Sequence, residues 1–354
     1  GWPSVEEVVM PAISEWKPVK LSEIHTGLTT LWNETGGKTA TRVCTTNLIV
    51  CLDDKSRLDE AIEAARIASE EHPLRAIFLL AEPEAEEHET QGQVSGYCRR
   101  SDSGDVHICC EQIVLTAKGR AVERLPSSVA ALLVPDLPVV LWWMGVPSLG
   151  EGPMNRLLEM SDRLILDSLE FNDIPAIHES AAGNPQVGFG DLNWIRITQW
   201  REMMAEIFDD PRFLPYLSQI GNLDVRYAAD GSPNSSQAVL YAGWFISRTS
   251  QTSPTGQTIK ASIEALEGVP TERCNLAAVN LESLDRKAFF SLAINPKREI
   301  EVIVEVEGEP AFYRTSPAES LPLGKLLAAE IEEGPDAIYH DALIAGAKLA
   351  ERPK

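Results

Sequence analysis

The sequence lacks the features of a membrane protein or a nucleic-acid-binding protein. No run of about 18 apolar residues, the length that crosses a bilayer as a helix, occurs among the 354 residues. The net charge is −22, and no basic run is longer than the pair Arg99-Arg100, which disfavours binding to nucleic acid or anionic lipid. The first residues, GWPSVEEVVMP, lack the basic start and apolar stretch of a signal peptide. We therefore expect a cytoplasmic protein with no membrane and no nucleic acid among its partners.

Motifs that carry catalysis or bind a cofactor are also missing. The turn after the first predicted buried strand reads CLDDKSRLD, where a dinucleotide-binding domain has Gly-x-Gly-x-x-Gly, and its two aspartates would repel a phosphate. No Gly-x-x-x-x-Gly-Lys-Ser/Thr, Gly-x-Ser-x-Gly or His-Glu-x-x-His occurs. Of the six histidines, His72 is expected to end a helix, and His178 has no nucleophile or orienting carboxylate beside it. We predict no catalytic residue, no cofactor and no metal site.

The N-terminal half of the chain alternates predicted strands and helices, the order that is typical of α/β proteins. The predicted elements are an N-terminal helical arm (1–37), strands at 45–53 and 74–82, a hairpin at 93–117, helices near 127–133 and 153–160, and strands at 137–145 and 162–168. The helix between the first two strands is expected to open at Ser56 as its N-cap, with Asp59 three positions on. Residues 38–174 should therefore form an α/β domain with a mainly parallel, mixed sheet.

The C-terminal half follows a different pattern and is predicted to be an α+β domain, residues 175–354. Residues 175–193 are rich in Gly, Pro and polar residues and suggest a connection into it. In EIEVIVEVEGE, Ile300, Val302, Val304 and Val306 alternate with acidic residues, broken only by Ile303, which predicts an antiparallel sheet with one solvated face. The pattern Ser316-Pro-Ala-Glu319 predicts the start of a helical region that is interrupted at Gly334-Pro335.

Three of the six cysteines lie in the predicted hairpin and are candidates for redox chemistry. If Ser103-Gly104 is a two-residue loop, Cys98 faces Cys109 across the hairpin, at a spacing near that of a disulfide. A three-residue loop would remove this pairing. Cys98, Cys109 and the neighbouring Cys110 are therefore either parts of a redox sensor or buried free thiols, as is common in the cytoplasm.

Two tryptophan-rich segments are candidates for contact with a partner. Trp142 and Trp143 end a predicted strand, where ligands of α/β sheets tend to bind, but adjacent strand residues face opposite sides, so only one can serve a given surface.

The second segment, DLNWIRITQWREMMAEIF (191–208), is predicted to be a single helix. Its apolar arc contains Trp194, Trp200, Met204, Ile207 and Phe208, while Glu202 and Glu206 lie opposite. Arg201 falls inside this arc and needs a carboxylate or carbonyl partner, because an unpaired buried charge is costly. The helix is either a clamp between the domains or an anchor that faces a partner.

As a set, the motifs resemble one protein family. They are RVCTTNLIVCL, HPLRAIFLLAE, QVSGYCRR with HICCEQIVL, PDLPVVLWWMG, DRLILDS and DLNWIRITQWRE. In this order they are similar to the glucose-6-phosphate dehydrogenase assembly protein family, OpcA, from about residue 40 to 210 and more weakly to the C-terminus. The resemblance implies a partner protein without catalytic activity. It would bind glucose-6-phosphate dehydrogenase and promote the active oligomer of that enzyme, in the oxidative pentose phosphate pathway.

The resemblance also implies a link to thioredoxin, with one departure. Cys274 is the only cysteine after Cys110, so a regulatory disulfide within the C-terminal domain is not expected here.

The leading interpretation is an allosteric activator of the dehydrogenase that acts by protein-protein interaction. The alternatives are a small-molecule-binding α/β protein or enzyme that uses the strand end near Trp142, and a passive subunit that binds the dehydrogenase without changing its kinetics.

Overall fold

The chain folds into two compact units in a computed structural model that describes residues 12–13, 15–35, 44–100, 107–147, 152–153, 155–229, 233–250, 258–269 and 274–351. The first unit consists of Gly1–Ile165 and Leu323–Glu332, and the second of Leu166–Pro322 and Glu333–Lys354. The domain limits predicted above, at residues 37 and 174, stay predictions.

A mixed sheet forms the centre of the first unit. Its strands are β1 (Ala12–Ile13), β2 (Lys17–Val19), β3 (Thr46–Leu52), β4 (Leu74–Glu82), β5 (Thr90–Arg100), β6 (His107–Lys118), β7 (Val139–Met144) and β8 (Arg163–Leu166). The order is β1-β5-β6-β4-β3-β7-β8, with β2 also on β5. The pairs that involve β3, β4 and β7 are parallel, and those of β5 are antiparallel. The predicted mainly parallel, mixed sheet is thus confirmed.

Helices accompany both sheets of the molecule. They are α1 (Ile24–Thr35), α2 (Leu58–Ala68), α3 (Leu125–Ala130), α4 (Asn155–Glu159), α5 (Ile174–Gly183), α6 (Leu192–Arg196), α7 (Thr198–Asp209), α8 (Leu214–Leu217), α9 (Ser236–Ser250), α10 (Leu323–Glu333) and α11 (Ala337–Ala350). Short 3₁₀ segments cover Leu21–Glu23, Lys55–Arg57 and Gly119–Arg124.

The start of α2 differs from the predicted capping box. Asp54, in extended conformation, caps the 3₁₀ turn Lys55–Arg57 by accepting the Ser56 N–H at 2.8 Å, and this turn leads into the helix at Leu58. Ser56 is therefore not the N-cap of α2. That position belongs to Arg57, which makes no side-chain capping hydrogen bond.

The second unit is built on a sheet in the order β11-β10-β12-β13-β14-β15. The strands are β10 (Ile220–Ala228), β11 (Lys260–Leu266), β12 (Leu276–Ser283), β13 (Ala288–Ile294), β14 (Glu299–Val306) and β15 (Phe312–Pro317), and a short strand β9 (Gly188–Asp191) precedes them. Only the β10–β11 pair is parallel among these described strands, so the predicted α+β unit with an antiparallel sheet is confirmed apart from that edge.

Three expectations about helices in the C-terminal half are wrong. The predicted connection at 175–193 contains α5, which Asp173 caps by accepting the Ala176 N–H at 2.9 Å, and the strand β9. The helix predicted to start at Ser316 starts at Leu323, because Ser316 and Pro317 pair with β14. The single helix predicted at 191–208 is two helices, α6 and α7, which meet at Ile197 with φ −93° and ψ 6°.

In the first unit, the late segment α10 is held by a buried ion pair. The guanidinium of Arg163 in β8 donates to the side-chain carboxylate and to the backbone carbonyl of Glu330. The two side chains are only 6% and 2% exposed. At the start of the helix, Gly324 lies against Ile67 and the Ala64 carbonyl of α2, where a Cβ atom would have no room. Side-chain size and charge therefore both fix how α10 packs in this unit.

Candidate functional site

The turn at the carboxyl ends of β3 and β7 uses its own carboxylates where a phosphate would bind. Asp53 accepts the Val146 N–H at 3.3 Å, and Asp54 accepts the Ser56 N–H at 2.8 Å. Gly145 has φ 110° and lies against the Asp53 carboxylate, so a side chain there would collide with it. Backbone donors that could bind an anion are therefore already occupied by the protein.

The two tryptophans of β7 have buried side chains in the first unit. Trp142 pairs in register with Val50 and Trp143 with Cys51, and both indoles are buried. The Trp142 Nε1–H has no hydrogen-bond partner among the described residues. Two residues beyond the strand, Val146 is exposed. Both indoles belong to the core in this structure, and the partner contact predicted for them stays a prediction.

Helices α6 and α7 present the predicted apolar stripe. Trp194, Trp200, Met204, Ile207 and Phe208 are all buried, whereas Glu202 and Glu206 are exposed. The Trp194 indole packs on Tyr339 with ring centroids 5.7 Å apart, and its Nε1–H donates to Asp336 Oδ2 at 2.7 Å. The break at Ile197 leaves the stripe in place because both helices continue to pack on the same unit.

The guanidinium of Arg201 has a carbonyl partner, as its position in the apolar arc predicted. It donates to the Trp194 carbonyl at 3.2 Å and to Thr198 Oγ1 at 2.9 Å. Its Cζ also lies 3.4 Å from the centroid of the Trp194 ring, which is a cation–π contact. Burial lowers the pKa of Arg201 to about 10, although Glu333 and Asp336 favour the charged form. These contacts all lie in the second unit, and the role as clamp or partner-facing anchor stays a prediction.

A buried polar cluster in the same unit was not foreseen. Arg196 donates to both carboxylate oxygens of Asp167, at 2.6 and 2.8 Å. Asp191 Oδ1 accepts the backbone N–H groups of Ser168 and Asn193, at 3.0 and 2.9 Å, while its Oδ2 has no partner among the described residues. Burial, together with the nearby charge of Asp167, raises the pKa of Asp191 to about 6. The sequence signal was the Asp-Leu-Asn start of α6, an N-cap pattern.

A cavity of about 340 Å³ adjoins this cluster. Residues that line it include Arg196, Trp200, Cys274, Asn275, Asn295 and Arg298. The volume is large enough for a small molecule. Asp191, whose pKa is raised to about 6, does not line the cavity, and burial raises the pKa of the Cys274 thiol. The cavity therefore offers neither an activated thiolate nor this carboxylate to a bound molecule.

The hairpin register agrees with the predicted two-residue loop. Cys98 of β5 pairs directly with Cys109 of β6. Their side chains and residues 101–106, which include Ser103-Gly104, lie outside what is described. Cys110 is buried, accepts the Leu74 N–H at 3.4 Å, and has its pKa raised by burial. Cys110 therefore favours the protonated thiol, which is the less reactive form.

One group of side chains in the first unit could ligate a cation. Ligand atoms of Glu71, His72 and Glu332 lie within 4.8 Å of one another. His72 follows α2, and its backbone N–H donates to the Ala68 carbonyl at 3.0 Å, as expected for a helix end. The Lys325 ammonium already lies 2.5 Å from Glu71 Oε1, so a metal ion would have to compete with it. None of the described helices is long and apolar enough to cross a membrane.

Two family models match the chain in succession. The model described as the glucose-6-phosphate dehydrogenase subunit N-terminal domain matches residues 65–182, and that of the C-terminal domain matches residues 187–343; both carry the name OpcA. Together they cover most of the chain, on either side of the short stretch between residues 182 and 187.

Curated relatives agree with this assignment. The chain is 36% identical over 192 residues to a protein of Nostoc punctiforme, covering 52% of this chain and 40% of that protein. It is 34% identical over 181 residues to one of Synechocystis sp., covering 50% and 37%. The names of both include "OxPP cycle protein OpcA". The chain spans less than half the length of these curated relatives.

Solved structures match the chain at much lower sequence identity. An oxidoreductase from Sinorhizobium meliloti has a TM-score of 0.46 and 12% identity, covering 87% of this chain and 96% of that one. The transcriptional regulator Gal80p from Kluyveromyces lactis has a TM-score of 0.47 and 10% identity, covering 87% and 88%.

Proposed function

The chain belongs to the OpcA family of glucose-6-phosphate dehydrogenase assembly proteins, and we propose that it binds glucose-6-phosphate dehydrogenase and promotes the active oligomer of that enzyme. The observation that carries the proposal is the match of two consecutive family models, which between them span residues 65–343 with a short gap. The names of the relatives support a role in the oxidative pentose phosphate pathway. The chain then acts on the pathway through its partner and performs no reaction of its own.

The chemistry of the candidate sites supports a role without catalysis. Asp53 and Asp54 occupy donors at the turn where an α/β domain binds a dinucleotide phosphate. The titratable Asp191 is wholly buried and lies outside the lining of the cavity. A general base must come within hydrogen-bond reach of its substrate, and Asp191 does not meet that condition.

The test is to mix the purified chain with the dehydrogenase from the same organism and to measure size and enzyme rate on the same samples. We expect one larger complex and a higher rate at a fixed enzyme concentration. A complex with an unchanged rate would identify a passive subunit instead. Separate elution with an unchanged rate would refute the proposal.

The alternative of a small-molecule receptor or enzyme makes a different prediction. The strand end near Trp142 is lined by Asp53, and the cavity beside Arg196 lies in the second unit. Turnover of a metabolite by the isolated chain, with no dehydrogenase present, would favour this alternative over the assembly role.

We also propose that Cys98 and Cys109 form a reversible disulfide. Directly paired residues of an antiparallel hairpin have Cβ atoms about 4.5–5.5 Å apart, near the spacing that a disulfide needs. Two thiols would lose two protons and two electrons to a disulfide oxidant such as oxidised thioredoxin, the second partner that the resemblance implies.

Free-thiol titration of the protein, freed of glutathione after treatment with oxidised glutathione, tests this proposal. The wild type should lose two thiols, Cys98→Ser should lose at most one, as a mixed disulfide of Cys109 with glutathione, and the control Cys274→Ser should still lose two. An unchanged thiol count in the wild type would remove the redox role without affecting the assembly role.

A further inference from the structure

The sheet of the second unit has one face that is packed and one that is open. On the packed face, Val279, Leu281, Phe290 and Val302 are buried, and Phe208 of α7 stacks on Phe290 with ring centroids 4.8 Å apart. The opposite face, called the open face below, presents its side chains at intermediate or high exposure over most of its area. Its central members are Phe289 of β13, Glu299, Glu301, Ile303 and Glu305 of β14, and Tyr313 of β15.

An apolar spot lies on the open face between β13 and β15. Tyr313 is 60% exposed, and its register partner on β14 is Ile303, the residue that breaks the alternation of that strand. Phe289 lies one strand further on, opposite Glu305. The Tyr313 hydroxyl donates to Glu301 Oε1 at 3.2 Å, which restrains the ring on the surface. Tyrosines held in this way are over-represented among the residues that dominate binding energy in protein interfaces.

Carboxylates of β14 surround this spot. Glu299 and Glu301 both accept from the Asn295 amide, at 3.0 and 2.9 Å, so their positions are fixed, and Glu305 is exposed. Among the described residues, no lysine or arginine lies within salt-bridge distance of these three glutamates. Negative charge is therefore concentrated around Tyr313 and Ile303, while Arg286 and Lys287 line a cavity together with Phe289 and Glu305. Such a surface is complementary to a basic protein surface with an apolar socket.

The negative charge of the open face also distinguishes between the molecules that could bind there. A second copy of the chain, placed on this face by a two-fold axis, would bring the same carboxylates against each other, and like charges in an interface cost affinity. The net charge of −22 adds to that repulsion and also disfavours an anionic lipid or a nucleic acid. A partner protein with lysines and arginines around an apolar pocket meets neither objection.

We infer that the open face, centred on Tyr313 and Ile303, is the surface that docks glucose-6-phosphate dehydrogenase through a basic, apolar-centred patch of the enzyme. The inference rests on the proposed function and adds to it the surface and the chemistry of the contact. Tyr313 and Ile303 supply the apolar centre, and Glu299, Glu301 and Glu305 meet basic side chains at the rim. Binding should therefore weaken as salt concentration rises, since exposed charges are screened.

Binding of the full chain to the immobilised dehydrogenase, measured at two ionic strengths, tests the inference. Tyr313→Ala should raise the Kd at least about tenfold, as loss of a central tyrosine does. Glu305→Lys should slow association and reduce the dependence of Kd on salt. The matched controls lie in the same unit but outside the open face and the candidate helices: Leu214→Ala removes another exposed apolar side chain, and Glu179→Lys reverses an exposed charge of α5. Both controls should bind like the wild type.

The outcomes separate the inference from the proposed function. If the wild type binds and both open-face variants, shown to be folded by circular dichroism, bind with the wild-type Kd, the surface is wrong while the function stands. If the wild type does not bind, the proposed function fails and the inference with it. If Tyr313→Ala instead abolishes a dimer of the chain itself, the open face is a self-association surface and the inference is overturned.

Discussion

At the scale of single residues, Asp191 is a carboxyl group whose ionisation the fold resists. Its carboxyl is fully buried, accepts the backbone N–H groups of Ser168 and Asn193, and lies near the charge of Asp167. The pKa is raised from 3.8 to about 6, so the folded state holds a proton that the unfolded chain has already lost in this interval. Stability contributed by the protonated group is therefore present at low pH and is lost as pH rises through about 6.

The replacement Asp191→Asn should remove this dependence. The difference in unfolding free energy between variant and wild type should move in favour of the variant by about 2 kcal/mol between about pH 4 and pH 7. Other titrating groups are common to both proteins and cancel in the difference. Urea denaturation at a series of pH values measures it, and a difference that stays constant over this range would contradict the assigned cause.

Arg201 illustrates what residue-level reasoning from sequence can reach. The helical wheel placed a guanidinium inside an apolar arc, and the cost of an unpaired buried charge required a polar acceptor, which is the Trp194 carbonyl. The stacking of the guanidinium on the Trp194 ring could not be predicted. The break between α6 and α7 was not predicted either, because no local signal at Ile197 marks it.

At the scale of elements, the buried pair of Arg163 and Glu330 holds α10 in the first unit. Removing one partner leaves the other charge buried and unpaired. We therefore predict that Glu330→Ala or Arg163→Ala lowers the free energy of unfolding by about 3–5 kcal/mol. The double replacement Arg163→Met with Glu330→Leu should cost much less, because it leaves no charge behind. Urea denaturation of the three variants compares them, and single variants no less stable than the double would show that the pair is not the determinant.

Strands and helices with a clear hydrophobic period were predictable from the sequence. Those fixed by pairing with residues far along the chain were not. The continuous apolar runs of β3 and β4 and the alternation of β14 identified these strands, because burial on two faces or on one leaves a direct mark in the sequence. The Ser-Pro-x-Glu pattern at Ser316 carried a valid helix-start signal, yet pairing of β15 with β14 overrides it. Helix α5 was missed because glycine and proline near its ends resemble a linker, although Asp173 and Pro175 form an ordinary helix start.

Candidate sites were likewise predictable where their residues are adjacent in sequence, and not where distant elements supply them. The carboxylates at the first turn were predictable, since Asp53 and Asp54 are adjacent in sequence to the strand that they end. The cluster of Asp167, Asp191 and Arg196 and the open face were not, because their members come from strands and helices far apart along the chain. Only the solvated side of β14, with Ile303 as its exception, pointed toward the open face.

At the scale of the whole molecule, the chain is acidic and belongs to an assembly-protein family. A net charge of −22 opposes self-association and favours encounter with a basic surface, which concerns association rather than fold. The names of the family models point to the dehydrogenase as the partner that we propose, and the open face is the surface on which we propose that it docks.

The most direct test of the central claim is the mass of the dehydrogenase oligomer and its activity, measured together while the enzyme is diluted with and without the chain. Sedimentation velocity gives the mass, and the initial rate on the same samples gives the activity. We expect that the chain joins the enzyme, that the large oligomer persists to lower enzyme concentration, and that activity persists with it. An oligomer and an activity that fall together on dilution regardless of the chain would contradict it.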